Sequence, residues 1–581
     1  MNAPVYTTEN ACQDCYKCVR HCPVKAIRVV DGKASVIPEA CLSCGLCVKI
    51  CPQHAKKVRI DMPRLKAMLA AGEKVYASVA PSFAAYFKGV SIGRLATALK
   101  RVGFAGVSET AHGAESVSAH VSKFYEEAPR TSVLISSACP ACVDYVRKYL
   151  PDWAGFISPL PSPVRAHVRL LREKLGPDTK VVFFGPCAAK KNEADRHPDE
   201  LAFAIVFPAL AELFAEQGID LETIEEESDL VLGPAAEGRF YSVEGGMNDT
   251  IRDGSGRVRF VSVSGLDNLA RLLSSPPPPP EGDARPIFVE ALACPGGCVN
   301  GPAMDAGDIG TLDALRATDA LAPMRASGGR CYAHCGTASY PPEAVVTDEP
   351  SEEEIARTLA RVGKVNKADE LNCGACGYDS CREFAKAMLA GKAEEAMCHT
   401  FLKRNFKSTS NALVRYIPAG VVIVDRDGLI VECNRNFAEL AGALGEYDVL
   451  GNLDGLPVAT FLPDFAELFT GALEHGSEIV KYRQPWKDRI VTLSVFAISK
   501  GEFAGAVIQD VTQNEGRREE IAAKAREVIR KNVITVQQVA RLFGEHIAET
   551  EIMLNEIAGA YESQTVGKKL REGSSYEYLN G

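Results

Sequence analysis

Positive charge is the first thing this sequence is short of. Its 581 residues carry 65 Lys and Arg against 75 Asp and Glu, a net charge of −10, with no basic cluster and no basic-aromatic interleaving. Nucleic acid is therefore not an expected partner. No long uncharged apolar run occurs, so no membrane span is expected. The first cysteine motif begins at Cys12, after only "MNAPVYTTENA". That leaves no room for a signal peptide, and the expected location is cytoplasmic. What the chain does have is cysteine, 20 in all. Without an export signal these read as metal ligands rather than disulfides, in the oxygen-shy protein of an anaerobe. The chain is too long for one core, so three to five domains are expected.

Residues 12–23 read "CQDCYKCVRHCP" and residues 41–52 read "CLSCGLCVKICP". Each is C-x2-C-x2-C-x3-C-P, and together they form an internal repeat. Thiolates at this spacing wrap 4Fe-4S cubes, the fourth cysteine of each run serving the other cluster. The ligands expected are Cys12, Cys15, Cys18, Cys22, Cys41, Cys44, Cys47 and Cys51. A zinc knuckle is the alternative, but zinc usually needs only two CxxC pairs. The block resembles a two-cluster bacterial ferredoxin. Such a module carries electrons and does no bond chemistry, so something further along must use them.

From Lys74 the pattern changes. "KVYASVAPSFAAYF" and "TKVVFFGPC" are short apolar runs ending in Pro or Gly, while "SIGRLATALKRVG" and "PVRAHVRLLREKLG" have helical periodicity. Strands alternating with helices predict parallel α/β layers, whose ligands collect at strand ends. Cysteines stand there: Cys139 after "TSVLISSA", Cys187 after "KVVFFGP", and Cys294 and Cys298 after "PIFVEALA". The stretches "SSACPACVDY", "FFGPCAAKKNEADR" and "EALACPGGCVNG", with a weaker match at "YSVEGGMNDTIR", resemble the catalytic domain of FeFe hydrogenases. That resemblance implies an H-cluster: a 4Fe-4S cube joined to a two-iron site carrying CO, cyanide and a dithiolate amine. It makes Cys139, Cys187 and Cys294 cube ligands and Cys298 the bridge. It assigns Lys190 to a cyanide, Glu193 to a supporting pair, and Pro81 and Ser82 to the loop over the two-iron site. Independently, a lysine three residues after a ligand cysteine can neutralise an anionic group on the metal. An ordinary solvated helix start at Lys190 and Lys191 is the alternative. The glycines of "CPGGC" suit close approach of backbone to a cluster.

The chain also departs from that family. Fast FeFe hydrogenases have a proton-passing cysteine directly before the first cube ligand; here that position is Ala138, which has no proton to give. The family's acidic outer route is not evident in "GAESVSAHVSKFYEEAP", and its methionines near the second and third ligands are Gly185 and Leu292. Cys142 is either a substitute relay or a small buried thiol.

Beyond this, "SSPPPPPEGD" reads as an extended loop inside the domain, and "CYAHC" holds Cys331 and Cys335 without an evident role. "VTDEPSEEEIARTLARVGK" reads as an acidic linker and a helix. Cys373, Cys376, Cys381 and Cys398 follow with C-x2-C-x4-C-x16-C spacing. This resembles the small 4Fe-4S domain of corrinoid iron-sulfur proteins, with zinc as the alternative. "IPAGVVIVDRDGLIVECNRNFAEL" predicts two strands joined at Asp-Gly and then a helix. With "DRIVTLSVFAI" and "EFAGAVIQDVTQ" it resembles a PAS domain, whose ligand is unknown; His475 and Cys433 are isolated. The tail is amphipathic and resembles a signalling helix that pairs in a homodimer, or else folds back on its own chain. No kinase or phosphatase motif is found, and His546 lacks a phosphoacceptor context.

The expected fold class is multidomain α/β and α+β. Its parts are a ferredoxin-like two-cluster module (1–60), an FeFe-hydrogenase α/β domain (62–335), a linker (336–365), a small 4Fe-4S domain (366–404), a PAS domain (408–514) and a C-terminal helix and tail (515–581). This order resembles sensory FeFe hydrogenases. It implies slow H2 oxidation, a ferredoxin-like redox partner, and a kinase or phosphatase effector in trans. A bidirectional hydrogenase with an accessory PAS module, and a hydrogenase-like iron-sulfur assembly protein without a two-iron site, are the alternatives.

Overall fold

The computed structural model describes residues 3–127, 131–227, 229–251, 256–282, 284–304, 311–321, 335–346, 349–404, 414, 416–450, 453–512 and 527–536. The chain divides into two units, residues 1–398 and 399–581.

In the first unit the repeat of the sequence is a repeat of structure. Helix Lys17–His21 starts from Tyr16 and helix Leu46–Lys49 from Gly45, both in left-handed backbone. The strands Val5–Thr7 and Lys56–Val58 pair antiparallel, as do Ile27–Val30 and Lys33–Val36. Gly45 is fixed by its neighbour: a Cβ there would lie 2.5 Å from the Pro302 ring. The ferredoxin-like block is thus pressed onto the next domain. Lys148 Nζ donates to Glu39 O (2.7 Å) and Cys41 O (3.2 Å), and Tyr149 Oη donates to Ala40 O (2.6 Å).

That next domain holds two parallel sheets. One has the order Gly106–Glu109, Val75–Val79, Lys180–Gly185, Phe203–Val206. The other has the order Arg259–Ser264, Ile287–Leu292, Val133–Ile135. The "VVFF" run is buried throughout because helices cover both faces of a parallel sheet. Helices fall at Ile92–Val102 and Pro163–Leu175, where the periodicity predicts them, and Ser91 caps the first by accepting from Arg94 N. The segment expected as a linker from residue 336 is stitched down. Ala338 N donates to Pro159 O, Glu343 N to Arg147 O and Val345 N to Lys148 O.

Helix Glu352–Arg361 begins with a Ser351–Glu354 capping box. It packs Ile355 and Leu359 against Cys381 and Ala385 of helix Cys381–Leu389, so it belongs with the small cysteine motif. That motif does not sit where chain order suggests. It lies on the ferredoxin-like block: Arg20 donates to Ala375 O (3.1 Å), Lys25 Nζ to Gly377 O (3.0 Å) and Val29 N to Lys392 O (3.0 Å).

The second unit is a five-stranded antiparallel sheet in the order Ile430–Cys433, Gly420–Asp425, Phe503–Asp510, Arg489–Ser499, Ile479–Trp486. The "GVVIVD" strand is buried on both faces. Val422 and Val424 join one core with Phe437 and Phe469, while Val421 and Ile423 join another. The second core also contains Ile529, Val533 and Val536, so the described part of the tail packs on its own sheet. The rest of the tail, His546 included, lies outside the described residues, as does Cys331.

Candidate functional site

The two parallel sheets present their carboxyl ends to one place. Cys187 follows strand Lys180–Gly185, Cys139 follows Val133–Ile135 and Cys294 follows Ile287–Leu292. These three, with Cys298 and with Cys44 of the ferredoxin-like block, line one small cavity. None of the described cysteines is in a disulfide. Among the described residues no three His, Cys, Asp or Glu side chains close on a single metal ion. Four thiols spread round a cavity suit a cluster, whose irons keep their thiolates apart. Ser82, with Pro81 at the end of strand Val75–Val79, is fully buried, and its hydroxyl has no protein partner.

Lys190 and Lys191 are not a solvated helix start; they are 8% and 1% exposed. Lys190 Nζ lies 2.7 Å from Glu193 Oε2 and 3.4 Å from the Ala138 carbonyl. Lys191 turns the other way, to Asp61 (2.8 Å) and Ala204 O (2.6 Å), and Asp61 also accepts from Arg59. Lys190 therefore faces the cysteines, while Lys191 ties the domain to the segment that enters it. Burial pushes the Cys187 thiol up to about 11 and Cys298 and Cys294 further. The Lys190 charge opposes this at Cys187 and Cys298. Cys139 goes the other way, down to about 6, chiefly because the Cys142 side chain hydrogen-bonds it. Cys142 is 1% exposed in a core with Val143, Val146 and Trp153. The structure thus places it against a ligand-position cysteine.

On its other side Ala138 packs on an apolar cluster. Helix Ala111–Glu127 contributes Ala114, Val117, Val121 and Tyr125 to the cluster on which Ala138 packs. Of the "CPGGC" glycines, Gly297 is held close to a neighbouring turn. A Cβ on Gly297 would lie 2.6 Å from Ser242 O and 2.7 Å from Val243 Cα, so the crowding is the protein's own backbone.

The ferredoxin-like cysteines sort as the spacing predicts. Cys18 feels the charges of Cys12, Cys15 and Cys51, and Cys47 those of Cys44, Cys41 and Cys22. Cys44 in turn feels Cys139. Cys376 feels Cys398 and Cys373, and the Tyr378 phenol between the blocks feels both Cys376 and Cys22. Cys381 opens its helix, its amide donating to Asn372 Oδ1 at 2.8 Å. Cys335 is fully buried, its amide donating to His120 at 3.2 Å. Cys433 is buried at a strand end and His475 is exposed at a helix end.

Sequence reasoning missed three participants: Cys44 in the cavity wall, the Asp61–Lys191 pair, and a buried Glu290. The signal for the last was present, a single charge inside the apolar strand "PIFVEAL".

Comparison with known proteins gives four family matches along the chain. Residues 73–302 match the iron only hydrogenase large subunit, C-terminal domain. Residues 4–52 match a 4Fe-4S dicluster domain, 369–399 an Fe-S cluster family and 410–477 a PAS domain. Among curated proteins, the chain is 26% identical over 388 residues to an NADP-reducing hydrogenase subunit of Solidesulfovibrio fructosivorans, covering 56% of this chain and 62% of that one. It is 25% identical over 303 residues to iron hydrogenase 1 of Clostridium pasteurianum, covering 43% and 52%. It is 27% identical over 362 residues to the periplasmic Fe hydrogenase large subunit of Nitratidesulfovibrio vulgaris, covering 51% and 85%. The chain thus spans less than two thirds of the first two relatives. A solved FeFe hydrogenase of Chlamydomonas reinhardtii aligns at 20% identity and TM-score 0.38, over 49% of this chain and all of that one. The protein is FeFe-hydrogenase-like, with iron-sulfur cluster domains and a PAS domain. Among the described residues no helix is long and apolar enough to cross a membrane.

Proposed function

We propose that this protein binds H2, oxidises it slowly to two protons and two electrons, and reports the resulting redox state to its PAS domain. The observation that carries the reading is the shared cavity. Cys139, Cys187, Cys294 and Cys298 line it together with Cys44 of the ferredoxin-like block, so the reacting site and the first electron carrier have one wall in common.

In this reading Cys139, Cys187, Cys294 and Cys298 hold an H-cluster, with Cys298 as the bridge. The H-cluster, when bound, supplies H2 cleavage and the first acceptor for the electrons. Lys190 places a positive charge beside three of the four thiols and beside any anionic iron ligand, and Glu193 holds its ammonium in position. Pro81 and Ser82 follow the strand that pairs with the one before Cys187, Ser82 offering a hydroxyl that no protein atom engages. Three further 4Fe-4S clusters fall to Cys22, Cys41, Cys44 and Cys47; to Cys12, Cys15, Cys18 and Cys51; and to Cys373, Cys376, Cys381 and Cys398. The last is reached from the ferredoxin-like block, because the small motif is hydrogen-bonded to it. Two features favour a sensor over a high-flux enzyme: Ala138 cannot carry a proton, and it packs on an apolar cluster. The effector is a separate protein, and occupancy rather than flux carries the signal.

The test is infrared spectroscopy after maturation. CO and cyanide bands are expected in wild type and lost in Cys298→Ser, while the ferredoxin-type cluster signals persist. Bands surviving in that variant overturn the bridge assignment; no bands in fully matured wild type overturn the reading.

A further inference from the structure

The apolar wall at Ala138 leaves open where a proton leaves the site. Helix Ala111–Glu127 offers Val117 and Val121 on that side. The strand beyond offers a carboxylate. Glu290, in Ile287–Leu292, is 1% exposed. Its Oε1 accepts from the Met247 amide (3.2 Å) and its Oε2 from the Ser262 hydroxyl (3.0 Å). Met247 Sδ accepts from Ser136 Oγ (3.1 Å), and Ser136 Oγ accepts from Ala138 N (3.2 Å). One side chain, Met247, therefore separates Glu290 from the turn that carries Ala138. On its other side Glu290 reaches water through a single residue. Ser262 is exposed and accepts from the side-chain amide of the half-buried Asn248 at 2.7 Å.

We propose that Glu290 is the proton-holding residue of this site and exchanges its proton with solvent through Ser262, in place of the thiol missing at position 138. The inference rests on the H2 reading above. A proton released at the site adds to the Glu290 carboxylate. The carboxyl O–H then passes it to the Ser262 hydroxyl, whose own proton leaves to surface water. No electron moves with it. The steps reverse when protons enter. Met247, a thioether and only a weak acceptor, stands in the gap and holds no proton of its own, which keeps the route slow.

The electrostatics suit the task. Burial raises Glu290 to about 7, against hydrogen bonds from the amides of Met247, Asn248 and Gly245 and from Ser262, which hold it lower. A general acid–base group works best with its value near the working pH. The titratable groups that feel its charge are Tyr241, from helix Glu237–Ser242, and the Cys298 thiol. Tyr241 is itself pushed up by burial, so it stays a neutral phenol.

The experiment has two arms. In the first, the protein carrying its 4Fe-4S clusters but no two-iron site is titrated from about pH 5 to 9 by infrared difference spectroscopy. A protonated-carboxyl band should disappear as pH rises through about 7, and should be absent in Glu290→Gln. In the second, matured wild type, Glu290→Gln and Ser262→Ala are compared at two-iron occupancy matched by their CO and cyanide bands. Glu290→Gln keeps an acceptor for Met247 and should lose H2 oxidation about 10²-fold, the low end of an acid–base contribution. Ser262→Ala should lose several-fold, with unchanged bands in both. Full turnover in Glu290→Gln, or no carboxyl titration near neutral pH, overturns the proposal. Missing CO and cyanide bands in wild type would instead fall on the H2 reading, and the first arm would still decide whether Glu290 exchanges a proton.

Discussion

The two flanks of the cysteine-lined cavity are built on opposite plans. On one, Lys190 and Glu193 are buried as a matched pair, and Lys191, Asp61, Arg59 and Asp195 extend the charges to the segment entering the domain. On the other, Ala138 packs on the cluster that holds Val117, Val121 and Met247, with the Glu290 carboxylate set back behind the methionine. A buried charge pair resists change, because removing either member strands the other. An apolar wall is indifferent to charge and tolerates only changes of shape. On the proposed reading, the first flank holds and orients anionic groups, while the second limits how fast protons move.

The largest effect should come from breaking the charged flank. Lys190→Met leaves Glu193 buried without its cation, and Asp61→Asn leaves Lys191 without its carboxylate. Removing one member of a buried pair costs about 3–5 kcal/mol. Thermal melts of the two cluster-loaded variants should both fall well below wild type. Only Lys190→Met should also lose CO and cyanide band intensity, because Lys191 faces away from the cysteines. Equal loss of bands in both would erase the distinction between the two lysines.

Next in size is the gain from repairing the apolar flank. Ala138→Cys places a thiol beside the site and should raise H2 oxidation at matched two-iron occupancy. The rise should stay below the 10²–10⁴-fold of a well-served acid–base group, since Val117 and Val121 offer it no onward partner. Wild-type turnover already equal to that of fast hydrogenases would show that this flank does not limit the rate.

A smaller effect concerns the relay to the sensor. Cys373→Ser should leave H2-dependent infrared changes intact and abolish the change in PAS output, read as altered protease protection of residues 408–512 under H2. An unaltered output would place the relay elsewhere.

The smallest effect is on stability with pH. The folded-state value of Glu290 is raised to about 7 by burial, above its ordinary value of 4.5. Its contribution to stability is therefore fully present below about pH 4.5 and is lost as pH rises through 7. Glu290→Gln has no such loss, so its melting temperature should gain on wild type between pH 5 and 8.5. A constant difference would mean that Glu290 is not buried as a neutral acid.

Much of this was legible in the sequence because ligand spacing is rigid. The C-x2-C-x2-C-x3-C-P runs specify which cysteines gather, and the partition of Cys51 and Cys22 between the two groups follows from it. Strand ends at Cys139, Cys187 and Cys294 were legible because parallel strands are short apolar runs with a cysteine beyond them. Three-dimensional neighbours were not. Chain order puts Cys373–Cys398 next to the PAS domain, whereas Arg20 and Lys25 hold that motif on the first cysteine block, 350 residues back in the chain. No local pattern encodes such a contact. Nor could composition tell Lys190 from Lys191: adjacent helix residues point about 100° apart, and only the packing shows which one meets the cysteines.

The central claim, that H2 at the cysteine-lined cavity sets the redox state of the cluster chain, is tested most directly by one paired measurement. Matured protein is frozen under argon and under H2, and the same samples are read by infrared and by electron paramagnetic resonance. CO and cyanide bands that shift under H2, together with newly reduced 4Fe-4S signals that Cys298→Ser lacks, are the predicted result. Shifting bands with clusters left oxidised, or reduced clusters in Cys298→Ser as well, would contradict it.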